Sequence, residues 1–300
     1  MDKAMDPGDI AGITHVNLGY IASSAGLPAL KIKNAFCTAT VAMQGAQVLA
    51  FQAADKAPLL WLSKQAVFMP GKAIRGGIPL CFPWFGPHPD DSSKPAHGFA
   101  RNRPWQLLRA NAHERGHTLV FSLEADAETR DLWPHEFTAE LSMELGKALR
   151  LELRVRNTGS QAFSFTSAFH SYFPVRDIER TEIAGLDGSQ CIDQLAATRT
   201  PYQHAGNIRF SAETDRIYLG ATGDYKIMDG GQHHTSIRAE NCHSAIVWNP
   251  WQEKTARLAD MSSEGWRGMV CVECGNVEGD ALTVMPGQQV SCGLLLDNAG

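Results

Sequence analysis

Apolar side chains occupy every second position from residue 137 to 145 (Phe137, Ala139, Leu141, Met143, Leu145), with Thr138, Glu140, Ser142 and Glu144 between them. After Gly146-Lys147 the alternation resumes, with Leu149, Leu151, Leu153 and Val155 set against Arg150, Glu152, Arg154 and Arg156. A period of two on both sides of a tight turn predicts an antiparallel hairpin with one wet face. On that face the glutamates of the first strand can pair with the arginines of the second. Shorter runs at 29–33, 38–41, 48–52, 118–125, 164–168, 245–248, 270–274 and 290–296 predict further strands, punctuated by Gly, Pro, Asn and Asp. Helical periodicity is scarce. Its best instance is 252–261, where Ala256, Leu258, Ala259 and Met261 can share a face. No Gly-x-Gly-x-x-Gly follows a strand, so a Rossmann unit is not supported. The pattern predicts an all-β protein: one large antiparallel β-sandwich over 1–300, with a loose N-terminal extension over about 1–10.

Composition narrows the partners. Three hundred residues with a net charge of −5 and no run of Lys or Arg argue against a general nucleic-acid binder. A small anion needs only two or three local cations and stays open. The apolar stretches are too short to span a bilayer, and Met1-Asp2-Lys3-Ala4-Met5-Asp6-Pro7 lacks the apolar core of a secretory signal. The seven cysteines are an odd, scattered set among apolar neighbours, which predicts buried free thiols and a cytoplasmic location.

The chemistry concentrates in loops. Arg75-Gly76-Gly77-Ile78-Pro79 leads through Pro83-Trp84-Phe85-Gly86-Pro87-His88 to His97-Gly98-Phe99-Ala100-Arg101. Glycine and proline bend such a segment, and two guanidinium forks suit an anionic oxygen cluster while aromatic faces suit a sugar ring. The combination suggests a phosphorylated sugar. Lys94 and His88 could extend the cationic site, although solvation is the simpler role for each. His170 ends a strand-like run and can give or take a proton; its bland alternative is a histidine satisfied by a carbonyl. Glu273 stands inside the apolar run Val270-Cys271-Val272-Glu273-Cys274, where a carboxylate is costly unless paired or used; its bland alternative is a salt bridge at a sheet edge. Strand alternation puts Cys271 and Glu273 on one face and Cys274 on the other, which disfavours the Cys271-x-x-Cys274 pair as a metal site. His233-His234 reads as a solvated loop, Asp215 as an acid at a strand start, and one indole of Trp248-Asn249-Pro250-Trp251 as core.

In this order, Arg75-Gly76-Gly77-Ile78-Pro79, Pro83-Trp84-Phe85-Gly86, His97-Gly98-Phe99-Ala100-Arg101, His170-Ser171-Tyr172-Phe173, Asp215-Arg216-Ile217-Tyr218, Val247-Trp248-Asn249-Pro250-Trp251 and Glu273 resemble the glucose-6-phosphate 1-epimerases, or hexose-6-phosphate mutarotases, of the aldose 1-epimerase superfamily. These segments span about two-thirds of the chain. The resemblance implies a galactose-mutarotase-like β-supersandwich, with His170 as general acid and Glu273 as general base. It implies further that Arg75 and Arg101 hold the phosphate and that His97 and Asp215 contact the sugar. It carries no role for Cys274-Gly275-Asn276. The expected partner is a hexose 6-phosphate, with no nucleic acid or membrane, acting on a monomer. Acid–base ring opening needs no metal, nucleophile or redox cofactor, so none is expected. Two alternatives remain: a non-catalytic sugar-phosphate binder on the same fold, and a free-aldose epimerase whose arginines serve structure.

Overall fold

A computed structural model describes residues 10–19 and 26–298. The extension expected over 1–10 lies, but for Ile10, outside the described residues. The hairpin forms as strands Phe137–Leu145 and Leu149–Asn157, closed by Gly146, Lys147 and Ala148. Its register sets Glu140 opposite Arg154 and Glu144 opposite Arg150, with ion-pair distances of 3.9 and 4.0 Å. At that separation and exposure each pair contributes a few tenths of a kcal/mol. The hairpin's fixed contribution is its apolar face: Phe137, Ala139, Leu141, Met143, Leu151, Leu153 and Val155 are all buried.

Every strand pairing among the described residues is antiparallel. The hairpin sits in a nine-stranded sheet, flanked by Gly116–Glu124 and Gln289–Asn298. An eight-stranded sheet carries Thr214–Leu219, Ser244–Asn249, Met269–Asn276, Ser167–Phe169 and Leu80–Cys81 in that spatial order, with Tyr172–Pro174 also pairing onto Met269–Asn276. A four-stranded sheet contains Leu27–Lys33, Cys37–Ala42 and Gln47–Ala53, as the apolar runs predicted.

The eight-stranded sheet has two unlike faces. Ala245, Val247, Val270, Val272 and Cys274 join the hairpin's apolar residues in the main core. The alternate positions, Ile217 and Ile246 with Cys81 and Ala168, form a smaller separate cluster. Asp215, Trp248, Cys271 and Glu273 share that second face by strand parity.

Three expectations need correction. The helix of 252–261 is only Trp251–Thr255. Beyond it the Arg257 and Leu258 amides donate to Lys254 O and Thr255 O, tight turns that carry the chain round to Asp260. Ala256 and Ala259 are exposed, and Thr255 is buried instead. The strand of 164–168 is split into Phe163–Phe165 and Ser167–Phe169, because Thr166 turns to the loop: its amide donates to Pro83 O at 3.0 Å and its Oγ1 accepts from Phe85 N at 2.8 Å. His233-His234 is no loop; both lie in the strand Gln232–Glu240, which alternates only after Thr235 is recognised as a buried polar position.

Candidate active site

The loop after residue 75 is shaped by glycines at positive φ, Gly77 and Gly98 among them. A Cβ on Gly77 (φ +64°) would stand 2.2 Å from Val48 O, and one on Gly98 (φ +71°) 2.0 Å from Phe82 O. Side chains larger than hydrogen are excluded at both. The fully buried Phe82 ring anchors the loop among Phe99, Trp133, Phe137 and Phe165, at centroid distances of 5.3–6.3 Å. This frame carries Arg75, His97 and Arg101 to the second face of the eight-stranded sheet.

Strand register brings the proton-transfer candidates together. Phe169 pairs with Cys274, and Tyr172 pairs with Cys271. The two residues between them, His170 and Ser171, therefore lie beside Val272 and Glu273. The His170 amide donates to Pro79 O at 2.9 Å, and its ring stacks on Tyr172 at 4.8 Å. His170 Nδ1 is 3.4 Å from Glu273 Oε1, with the two side chains only 10% and 1% exposed. His170 Nδ1 and Glu273 Oε2 are buried without a hydrogen-bond partner. The pair thus occupies one wall, side by side.

Both groups line a cavity of about 280 Å³, and so do Arg75, His97, Arg101 and Asp215. All six sequence candidates converge there. Lys94 and His88 do not: Lys94 Nζ donates to Leu132 O, and His88 packs edge-on against Trp84. By strand parity Cys271 and Glu273 share one face of Met269–Asn276 and Cys274 lies on the other, so the two thiols point to different sides of their strand. All seven cysteines are buried and free. Of the two indoles, Trp248 lines the cavity and Trp251 packs on Trp266 at 4.4 Å.

Four of the cavity's polar side chains had no site role assigned from sequence. Both carboxylate oxygens of Asp260 accept from Arg75 Nε at 3.2 Å, and Tyr172 Oη accepts from Arg75 Nη1 at 3.2 Å. Lys254 lines the cavity but pairs with Glu213 at 2.8 Å. Trp248 is the fourth. Arg101 differs from these cations. It makes no ion pair among the described residues; its Nη2 donates to Ala96 O, and its Nε is buried without a partner. It is the cavity's uncommitted guanidinium.

Electrostatics follow from this packing. Burial pushes the Glu273 carboxyl well above the ordinary range, Asp215 pushes the same way, and Arg101 opposes. Burial pushes His170 well below its ordinary value, helped by His97, Arg101 and Arg75. His97 is lowered to about 3 by burial and then by Arg101 and Arg75, so it is neutral at physiological pH. Its Nδ1 accepts from the Gly86 amide at 3.2 Å, which leaves the proton on Nε2. Asp215 is raised to about 6, chiefly by burial. The site therefore offers a neutral donor, a carboxyl that titrates near pH 6, and an acid–base pair of which each member favours its uncharged form.

Residues 28–296 match the family model for aldose 1-epimerase. The chain belongs to the aldose 1-epimerase family. It is accordingly an isomerase acting at the anomeric carbon. A Salmonella typhimurium protein named "putative glucose-6-phosphate 1-epimerase" is 37% identical over 236 residues, 78% of each chain. Proteins of that name from Escherichia coli and Cenchrus ciliaris are 36% and 35% identical, over 78% and 84% of this chain and 78% and 79% of theirs. Among solved structures, one titled as a "putative mutarotase" from Salmonella typhimurium superposes with a TM-score of 0.85 at 29% identity, covering 95% of this chain and 97% of that one. A galactose mutarotase related enzyme of Lactobacillus acidophilus, at 16% identity and TM-score 0.71, over 91% of this chain and 97% of that one, shows the shared β fold of the epimerases. No described helix is long and apolar enough to cross a membrane.

Proposed function

We propose that this epimerase interconverts the α and β anomers of glucose 6-phosphate or a related hexose 6-phosphate, with His170 and Glu273 moving the protons. The observation that carries the reading is the 3.4 Å pairing of a buried imidazole with a buried carboxyl in a cavity that also holds an uncommitted guanidinium. The relatives named above support the phosphorylated substrate. The cavity, about 280 Å³, falls at the small end for ligand pockets and suits a compact ligand.

Ring opening takes the proton of the anomeric hydroxyl and returns one to the ring oxygen. Glu273 as carboxylate accepts the first; His170 as imidazolium donates the second. The C1–O5 bond breaks, the aldehyde turns about C1–C2, and reclosure reverses both transfers on the other face. At the open-chain stage Glu273 is protonated and His170 is neutral. That is the form burial favours, so the protein holds the pair in the protonation state of the intermediate. Substrate acts on the two groups unequally. A phosphate of about −1.5 to −2 charge beside Arg101 and Arg75 offsets two of the fields that depress His170 and so favours its carrying the proton, while offsetting Arg101 also raises Glu273. Each positioned acid or base typically contributes ~10²–10⁴-fold, and together they lower the barrier by about 5–11 kcal/mol if the effects multiply.

Arg101 and Arg75 hold the phosphate in this reading. Arg75 is already braced by Asp260 and Tyr172, so it supplies a fixed donor fork, and Arg101 supplies the unbalanced charge. His97 Nε2–H and Asp215 contact sugar hydroxyls. Seven buried free thiols suit a reducing cytoplasm, and we take the working unit to be a monomer. The test is ¹H NMR on freshly dissolved α-glucose 6-phosphate. Acceleration over the protein-free rate, larger for glucose 6-phosphate than for free glucose, supports the reading. Tight binding with no acceleration would make the protein a binding module, and equal acceleration of both sugars would make it a free-aldose epimerase.

A further inference from the structure

Cys271 has no part in the proton transfers, yet its position is unusual. Its Sγ, one oxygen of Glu273 and one ring nitrogen of His170 all lie within 4.8 Å of one another, and all three residues are buried. Among the described residues this is the one trio of potential metal ligands so placed. Two polar atoms of the trio, His170 Nδ1 and Glu273 Oε2, are buried with no hydrogen-bond partner. Buried polar atoms are nearly always partnered, so these two point to a ligand.

We propose that His170, Cys271 and Glu273 form a binding site for a thiophilic divalent cation, Zn²⁺ in particular, and that its occupancy switches the acid–base pair off. Bond lengths of 2.0–2.3 Å in a tetrahedron put ligand atoms roughly 3.2–3.6 Å apart. The imidazole and carboxyl are already 3.4 Å apart, and the thiol, within 4.8 Å of both, needs only a small closing movement to reach bonding geometry. Nitrogen, sulfur and carboxylate oxygen select zinc over magnesium or calcium. The charges close as well: one thiolate, one carboxylate and a neutral imidazole balance a dication, which keeps the buried site uncharged. Binding releases the thiol proton, and the carboxyl proton where one is held, to solvent. His170 and Glu273 line the cavity and Cys271 lies behind them, so the fourth position faces the cavity and takes water or a substrate oxygen. Arg101 repels the cation and favours an anion in that fourth place. The Cys271-x-x-Cys274 spacing has no role here, because the partners of Cys271 come across the sheet from His170 and along the strand from Glu273.

The site uses the groups assigned to proton transfer, so its test includes readouts that do not depend on turnover. Chelator-stripped protein is titrated with Zn²⁺ against a chromophoric competitor and, separately, with Co²⁺. The expected result is one equivalent bound, with a thiolate-to-cobalt charge-transfer band. Cys271→Ala loses that band and binds Zn²⁺ at least about 100-fold more weakly, while its metal-free anomerase rate stays at the wild-type level. Zn²⁺ lowers the wild-type anomerase rate by occupying the proton-carrying pair, and chelator restores it. If Cys271→Ala does not fold, Cys271→Ser, checked by near-UV circular dichroism, takes its place. An unchanged cobalt spectrum and Zn²⁺ affinity in the Cys271 variant would assign the metal to other residues and overturn the proposal, as would wild-type protein that binds no zinc. Loss of the anomerase reading alone leaves the stoichiometry and spectrum intact, so the two failures are distinguishable.

Discussion

Arg101→Ala separates recognition of the phosphate from chemistry at C1. Arg101 lines the cavity, has no carboxylate partner among the described residues, and keeps a buried, unpartnered Nε. A hydrogen bond to a charged group contributes ~1.5–3 kcal/mol, so its loss lowers kcat/KM for glucose 6-phosphate by roughly 10–150-fold. Most of the effect falls on KM. The same guanidinium lowers the proton affinity of His97, His170 and Glu273. Its removal therefore shifts the pH–rate profile, and that shift acts on phosphorylated and free sugar alike. The ratio of kcat/KM values for glucose 6-phosphate and glucose cancels the common part and isolates the phosphate contact. Polarimetry on both sugars at several pH values supplies the ratio. Arg101→Lys keeps the charge without the fork, and its ratio falls between wild type and alanine. An equal loss on both sugars would refute a phosphate role for Arg101.

Asp215, raised from 3.8 to about 6, binds its proton more tightly folded than unfolded, so its contribution falls as pH rises from about 4 to 6. Asp215→Asn should then stabilise the protein at pH 7 by up to ~3 kcal/mol in urea unfolding, and an unchanged midpoint would show that the carboxyl is not strained. His97 acts with the opposite sign: lowered from 6.5 to about 3, it loses stability as pH falls through that window, and His97→Asn should flatten this acid limb. Gly98→Ala drives a Cβ to 2.0 Å from Phe82 O at φ +71°; a destabilisation of at least about 3 kcal/mol is expected, and a near-neutral midpoint would contradict the loop packing.

The hairpin was legible because every second residue of Phe137–Leu145 and Leu149–Asn157 is buried, so the sequence period and the burial period coincide. Glu273 was legible for the converse reason: a carboxyl in an apolar strand has to be explained. The pairing of Arg75 with Asp260 was not, since the residues are 185 apart in sequence and meet only because tight turns follow the Trp251–Thr255 helix. Periodicity at 252–261 misled for the same reason, as two alanines that could share an apolar face are exposed. Lys254 and Trp248 became cavity residues through the position of that helix and the parity of Ser244–Asn249, neither of which a local pattern specifies. His170 and Glu273 each looked ambiguous alone; cross-strand register on Met269–Asn276 is what makes them a pair.

The proposed mechanism puts proton transfer on the carboxyl of Glu273 and the imidazole of His170. Two-dimensional exchange NMR on an equilibrated α/β mixture of glucose 6-phosphate reads the interconversion directly, with wild type beside Glu273→Gln. Gln keeps the shape and neutral charge of the buried acid, so folding should be retained while anomer exchange drops ~10²–10⁴-fold. Exchange cross-peaks that build up at the wild-type rate in a folded Glu273→Gln protein would contradict the account.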